Sequence, residues 1–334
     1  MNRKISWGVL GVANIACSQV IPAMQGSDIL EVAAIASRHA PKAQAAAQAL
    51  GIPKSYGSYE QLLADPEIEA VYIPLPNHLH VPWTIKAMEA GKHVLCEKPI
   101  ALTAADAALL LDARQRTGRL VAEAFMVRHH PQWHYVRSQV RTGALGDVRA
   151  VHAFFSYYLD DPANVRNQAD IGGGSLYDVG CYAITAARYL FESEPLGAIG
   201  LMDKDPVMGV DRLTSAIVDF GAGRQLLFTC SSQLASFQQV DVCGTAARIK
   251  MAAPFNPDPQ HPPRVSFHDA DNPGGASVSL QDIPAVDHYR LQAEAFTRAI
   301  NGAPLEFPIE DAVSNMRVID AIFRSVSSRR WESP

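Results

Sequence analysis

Gly8-Val9-Leu10-Gly11-Val12-Ala13-Asn14-Ile15-Ala16 decides how the first half of this chain folds. A strand-like apolar run, residues 5–10, leads into it, and a helical pattern over residues 15–25 leaves it. The glycines therefore mark a turn from strand to helix. Such a turn aims backbone N–H groups and the positive end of a helix dipole at one point, which suits a phosphate. The spacing is G-x-G-x-x-G/A with one change. In Gly11-x-Ala13-x-x-Ala16, alanine replaces the middle glycine, the one that lets the backbone approach a pyrophosphate. Taken alone, the stretch reads equally as a tight turn between apolar elements.

The residues outward from it favour the dinucleotide reading. Strand-like runs at 5–10, 30–36, 70–73, 93–95 and 120–122 alternate with alanine-rich helical stretches at 15–25, 41–50, 78–90 and 103–117. Apolar strands alternating with helices predict βαβ units and a buried, doubly wound parallel sheet. Gly51 and Gly91 follow helices as C-terminal glycines do, and Thr103 with Asp106 reads as a capping box. Past Arg128 the pattern changes. A helix at 132–142 precedes a long alternating strand at 147–159, and a glycine-rich turn opens another helix. Strand candidates follow at 196–201, 215–220, 225–231, 238–243, 247–251, 264–267 and 277–280, and helices at 288–300 and 310–327 close the chain. Strands in succession predict an α+β half with a large, open, mostly antiparallel sheet. Residues 254–263 are proline-rich and read as a surface loop. The expected division is a Rossmann domain over 1–123 and an α+β domain over 124–334, the last helix packing back on the first domain.

Length and composition agree. Single cores stop growing near 250–300 residues, so 334 residues predict two domains. A net charge of -5 offers no basic footprint for nucleic acid or an anionic membrane, which leaves a small molecule as the partner. Five scattered cysteines without a CxxC pair predict reduced thiols in a cytoplasm, with neither disulfides nor a zinc site. His129, His130 and His134 lack further ligands at metal spacing and read as the start of a helix around Pro131. Arg3 and Lys4 before an apolar run to Cys17 imitate an export signal. Asn14 stands where a lipoprotein signal wants an aliphatic residue, and cleavage there would delete the first strand. A cytoplasmic location is expected, and no run approaches 18 unbroken apolar residues.

Two further motifs carry chemistry. Cys96-Glu97-Lys98-Pro99 ends a strand, and Gly172-Gly173-Gly174-Ser175-Leu176-Tyr177-Asp178-Val179-Gly180-Cys181-Tyr182 opens a helix on which Asp178 and Tyr182 share a face. A lysine and a tyrosine suit proton transfer at a hydroxyl carbon, because the ammonium favours the ionised phenol. At the carboxyl end of the second strand stand Ser37 and Arg38, a hydroxyl and a guanidinium suited to the 2′-phosphate of NADP, with NAD the lesser alternative. Glu31 has the acid expected for NAD but at the opposite end of that strand. From about Ser6 to Ala321, these motifs resemble the family of glucose–fructose oxidoreductase, inositol dehydrogenase and the MocA proteins (Gfo/Idh/MocA).

The resemblance implies roles residue by residue. The glycine loop (Gly11, Ala13, Asn14, Ile15) would hold the dinucleotide, with Ser37 and Arg38 at its ribose. Pro74-Leu75-Pro76-Asn77-His78-Leu79-His80 matches a family segment near nicotinamide and substrate, placing Pro74, Leu75, Asn77 and His80 there. Asn77 reads equally as an N-cap for the helix after it. The family lysine that touches nicotinamide ribose and substrate falls on Lys98, supported by Glu97, and a family arginine near the nicotinamide falls on Arg166. Tyr182 occupies a position where inositol dehydrogenase-like members carry His, which points toward sugar and dihydrodiol dehydrogenases. Asp178 either orients a substrate hydroxyl or closes a capping box with Ser175. Tyr177 is expected in the core, and Tyr289 either closes the pocket or packs in the core. The implied activity is NADP-dependent oxidation of an aldose of the xylose or glucose type at its anomeric hydroxyl, with Tyr182 as acid/base, or the reverse reduction. A trans-dihydrodiol, an anhydro-sugar or a keto nucleotide sugar are alternative substrates, and a non-catalytic NADP-binding regulator is the alternative class. No metal is expected. Family members pair their C-terminal sheets, so a homodimer or homotetramer is expected, and the lack of a long N-terminal arm implies exchangeable NADP.

Overall fold

Six short strands, all but β3 mostly apolar, form the first sheet: β1 (Ile5–Leu10), β2 (Leu30–Ala36), β3 (Lys54–Tyr56), β4 (Ala70–Ile73), β5 (His93–Glu97) and β6 (Val121–Ala124). A computed structural model describes residues 4–269 and 278–334; Arg3 of the signal-like start and Ser277 of the last predicted strand lie outside the described residues. All five pairings are parallel, in the order β3-β2-β1-β4-β5-β6, so the chain reverses its winding between β1 and β4. Ligands of doubly wound sheets bind outside the strand ends at such a switch point. The helices are α1 (Ile21–Gln25), α2 (Ala40–Leu50), α3 (Tyr59–Leu63), α4 (His80–Glu89) and α5 (Ala104–Thr117). A wide π turn, Ala16–Val20, precedes α1, immediately before Pro22, which brings no N–H to the helical ladder. Thr103 caps α5 by accepting from the Asp106 N–H at 3.1 Å, as its sequence predicts.

The sequence reading missed β3 and α3. Lys-Ser-Tyr is too short and too exposed to show a period, and α3 has five residues with a Ser58 cap. Together they support the Ser37 turn, whose N–H donates to Tyr56 O at 3.1 Å. Asp65 anchors this corner: Lys54 Nζ and Tyr56 Oη each donate to its Oδ2 at 2.7 Å.

The chain divides into two compact units, Met1–Met126 with His288–Val313 and Val127–Asp287 with Ser314–Pro334. Of the closing helices α8 (His288–Ile300) and α9 (Ile309–Ser328), it is α8 that packs in the first unit. Its Ala293 and Phe296 join the core around Trp7, whose indole N–H donates to Thr297 Oγ1 at 3.2 Å. α9 is divided between the units at Val313, and its remainder packs in the second, where Phe323 meets Tyr177.

The second unit holds α6 (Pro131–Arg141), α7 (Cys181–Phe191) and an eight-stranded sheet of β7 (Val148–Tyr158), β8 (Gly197–Lys204), β9 (Asp211–Asp219), β10 (Gln225–Ser231), β11 (Gln233–Gly244), β12 (Ala247–Met251), β13 (Val265–Asp269) and β14 (Val278–Leu280). Its order is β14-β13-β12-β11-β7-β10-β9-β8, and only β7 and β10 run parallel. His130 caps α6 with Nδ1 accepting from the Gln132 N–H at 3.1 Å. Every residue of α7 is buried, on the face of the sheet that carries Val151, Ala153 and Phe155. The opposite face is open and apolar, lined by Phe154, Ile199, Leu201, Ile217, Leu227 and Phe237.

Burial alone would raise the Asp65 carboxyl, but Lys54, Tyr56 and the Glu67 N–H overcome it and hold it down to about 2. A carboxyl depressed in the folded state contributes stability above its unfolded pKa, near 3.9, that is lost as pH falls through the folded value. Asp65→Asn is therefore expected to cost about 2 kcal/mol at pH 7. That cost should fade between pH 4 and pH 2, measured by urea denaturation. A cost independent of pH would contradict this.

Candidate active site

Gly11 stands at φ +128°, a conformation costly for any residue with a Cβ. A Cβ there would also sit 3.1 Å from Leu75 Cδ2 and face the Pro74 carbonyl. The phosphate turn thus lies against the loop leaving β4, and its N–H is fixed to Ala36 O at 2.9 Å. Ala13, in place of the usual glycine, is partly buried and packs against the core with Val12 and Ile15. Cys17 N–H donates to Ala13 O at 3.1 Å, and Asn14 is exposed at the helix start. A helix N-terminus and a turn that only glycine can make fit a dinucleotide pyrophosphate.

At the end of β2, Ser37 is buried and its Oγ accepts from the His39 N–H at 3.2 Å. Arg38 is exposed beside Tyr59, whose hydroxyl burial raises and the Arg38 guanidinium lowers. Glu31 lies at the far end of the strand, accepting from Ser6 Oγ at 2.7 Å. The described residues that follow β2 directly, Ser37, Arg38 and His39, include a cation and no acid.

The 74–80 and 97–99 segments are tied together by His80. The ring is wholly buried, with Nδ1 2.7 Å from Pro99 O and Nε2 2.7 Å from Leu75 O. Burial pulls its pKa down to about 4 despite these carbonyls, and Lys98 adds to the effect. A neutral ring donates to only one of the two. The ring donates to one of these carbonyls and lies against the other, which packs His80 between the two loops. Asn77 opens a 3-10 turn, Asn77–Leu79, ahead of α4, and Leu79, the residue before α4, makes no side-chain cap. Glu97 accepts from Tyr72 Oη at 2.6 Å and from the Lys98 N–H at 3.2 Å, so its carboxylate fixes the backbone that presents half-buried Lys98. Tyr289 packs against the Rossmann core.

The remaining predicted residues lie in the second unit. The glycine run is dictated by close approach. Gly174 stands at φ +121°, where a Cβ would lie 2.0 Å from Asp211 Oδ1, and a Cβ on Gly173 would lie 2.6 Å from Arg166 O. The helix begins as a π turn, Leu176–Gly180, before α7. Ser175 and Asp178 form no capping box. Ser175 Oγ, the Leu176 N–H and Thr214 Oγ1 instead donate to buried Asp211 Oδ2, at 2.7, 2.8 and 2.8 Å. A distant strand has taken over the cap, and Asp178 is released for other contacts. Tyr157 Oη and Arg166 Nε donate to its Oδ2, at 2.5 and 3.0 Å. Burial and then Asp178 push the Tyr157 hydroxyl up, while Asp178 keeps the Arg166 guanidinium firmly charged. Tyr182, in the first turn of α7, is 5% exposed, with its ring against Phe155 and Phe255 at 5.7 and 5.4 Å. Sequence reasoning missed Tyr157 and Asp211. The alternation of β7 puts Tyr157 on the face of Val151, Ala153 and Phe155, a usable signal; Asp211 gave none.

Among the described residues no group of three or more His, Cys, Asp or Glu could hold a metal ion, and no helix is long and apolar enough to cross a membrane. Residues 5–125 match the model of the Gfo/Idh/MocA oxidoreductase family with an NAD-binding Rossmann fold, and residues 133–250 match a C-terminal domain of that family. The chain is 48% identical to the uncharacterized oxidoreductase ORF334 of Rhizobium meliloti, over 98% of this chain and 99% of that one. It is 39% identical to D-xylose 1-dehydrogenase (NADP(+)) 2 of Haloferax volcanii, over 96% and 97%. Among solved structures it is similar to the 3-ketoreductase KijD10 of Actinomadura kijaniata in complex with NADP and TDP-benzene, with a TM-score of 0.90 and 30% identity over 96% and 98% of the two chains. KijD10 has also been solved with one lysine or one tyrosine replaced, two residues as far apart in its chain as Lys98 and Tyr182 are here. The chain belongs to the Gfo/Idh/MocA family and is an NAD(P)-dependent oxidoreductase.

Proposed function

We propose that the protein oxidises an aldose of the xylose or glucose type at its anomeric hydroxyl, with NADP, to the lactone, or runs the reverse reduction. The observation that carries this is the near full-length similarity to an NADP-dependent D-xylose dehydrogenase, with a tyrosine at position 182. Bound NADP⁺ supplies the hydride acceptor. Tyr182 takes the hydroxyl proton, and Lys98 favours its phenolate. The Glu97 brace and the His80 clamp hold Lys98 in place, and alignment of the reacting groups supplies much of the rate. The Lys–Tyr spacing shared with KijD10 supports these two assignments. It also favours a second reading, reduction of a keto sugar carried on a nucleotide, with Tyr182 as the acid. Arg38 at the ribose end of β2, with no acid beside it, supports NADP over NAD.

The test is NADPH absorbance with NADP⁺ or NAD⁺ and a panel of aldoses, dihydrodiols and keto sugars. Turnover with an aldose is expected, falling about 10²- to 10⁴-fold in Tyr182→Phe and comparably in Lys98→Ala. Tight NADP binding without turnover, indifferent to both substitutions, would instead indicate a regulator. Arg38→Gln should raise KM for NADP⁺ about ten- to a hundredfold and leave that for NAD⁺ unchanged; an equal effect on both contradicts a 2′-phosphate contact. The apolar open face of the second sheet, where Leu201 is 78% and Phe237 51% exposed, supports a homodimer or homotetramer formed through it. Leu201→Lys with Phe237→Glu should give a monomer by light scattering, and unchanged assembly would place the interface elsewhere.

A further inference from the structure

Asp178 is the junction of a polar cluster whose partners come from two separate stretches. Tyr157 from β7 and Arg166 from the preceding loop donate to the same carboxylate oxygen. The Arg166 backbone is held independently, since its carbonyl accepts the Gly174 N–H at 2.9 Å and leaves no room for a side chain on Gly173. Asp178 lies one helical turn before Tyr182 on the same face. The 3.0 Å pairing of Arg166 Nε with Asp178 Oδ2 therefore sets the guanidinium beside the turn that leads to Tyr182, where an ionised phenol would further favour its charge.

We propose that Arg166, anchored by Asp178 and Tyr157, is a second cation for Tyr182, stabilising the phenolate from within the same unit while Asp178 moderates that charge. This rests on the acid–base reading of Tyr182, and it assigns Arg166 to the phenol in addition to the cofactor. Each element packed on the Tyr182 helix contributes identifiable groups. Asp178, Cys181 and Arg188, the last paired with Glu194 at 2.7 Å, share its helix, β7 brings Tyr157, β9 brings Asp211 and β10 brings Cys230. Asp211 is committed to Ser175, Leu176 and Thr214, and burial keeps the Cys230 thiol neutral. α6 places Arg137 over Tyr189, two turns further on, and α9 meets the helix through Asn315 and Phe323. Of the cations among these groups, Arg137, Arg166 and Arg188, Arg166 is the one paired with Asp178, the carboxylate one turn before Tyr182. Removing its charge disfavours the phenolate, whereas removing the Asp178 charge favours it.

The experiment is a pH titration of the full chain carrying ¹³Cζ-tyrosine, followed by NMR without cofactor or substrate, the Tyr182 signal being assigned by its loss in Tyr182→Phe. Arg166→Gln should move the Tyr182 midpoint up by roughly one pH unit. Asp178→Asn, which keeps an acceptor for Tyr157, should move it down, and Arg166→Lys should leave it near the native value. A midpoint indifferent to Arg166→Gln, or two neutralising substitutions that shift it the same way, would overturn the proposal. The readout needs no turnover. The predicted shifts together with full activity in Tyr182→Phe would therefore support this inference and count against the acid–base reading alone.

Discussion

The second unit depends on one buried carboxylate. Asp211 is 4% exposed and would be costly there unless its oxygens were satisfied. Three donors on Oδ2 satisfy it: a serine hydroxyl, a threonine hydroxyl and the N–H at the start of the Tyr182 helix. The same carboxylate presses on Gly174 so closely that no other residue fits. One constraint therefore sets where the helix begins, why the glycine run is there, and which way Tyr182 faces. It also releases Asp178 from capping, so that a residue at an ordinary helix start can hold Arg166 and Tyr157.

The first unit solves the matching problem with backbone. Lys98 is presented by a strand end whose neighbours are fixed on both sides, Glu97 by the Tyr72 hydroxyl and Pro99 by the His80 ring. His80 also holds Leu75, and Leu75 lies against Gly11. The phosphate turn, the loop after β4 and the lysine are thus linked through a short run of contacts. Such bracing suits a reaction whose rate depends on alignment, because displacement of one loop would be felt at the next.

Much of this was legible because the signals were local. β1, β2 and β4 of the Rossmann sheet, β10, β12 and helix α8 begin and end where hydrophobic period and turn residues put them. The Thr103 cap and the glycine-led helix were equally visible. What stayed hidden depended on partners far away in sequence. Ser175-x-x-Asp178 has the form of a capping box, yet Asp211, on another strand, supplies the cap. His80 sits in a motif associated with ligands, and its burial between the carbonyls of Leu75 and Pro99 was not legible there. β3 and α3 are too short to show a period, and their reason to exist is the Ser37 turn they support. Tyr157 was readable only as one apolar-face position of a strand, and its hydroxyl has meaning only once Asp178 is seen beside it.

The central claim is that a hydride leaves the anomeric carbon of an aldose. The most direct measurement is incubation of the protein with NADP⁺ and xylose carrying deuterium at C1, followed by mass spectrometry of the reduced cofactor. Deuterium in the NADPH is the predicted result. Unlabelled NADPH would place the oxidation at another carbon and contradict the account.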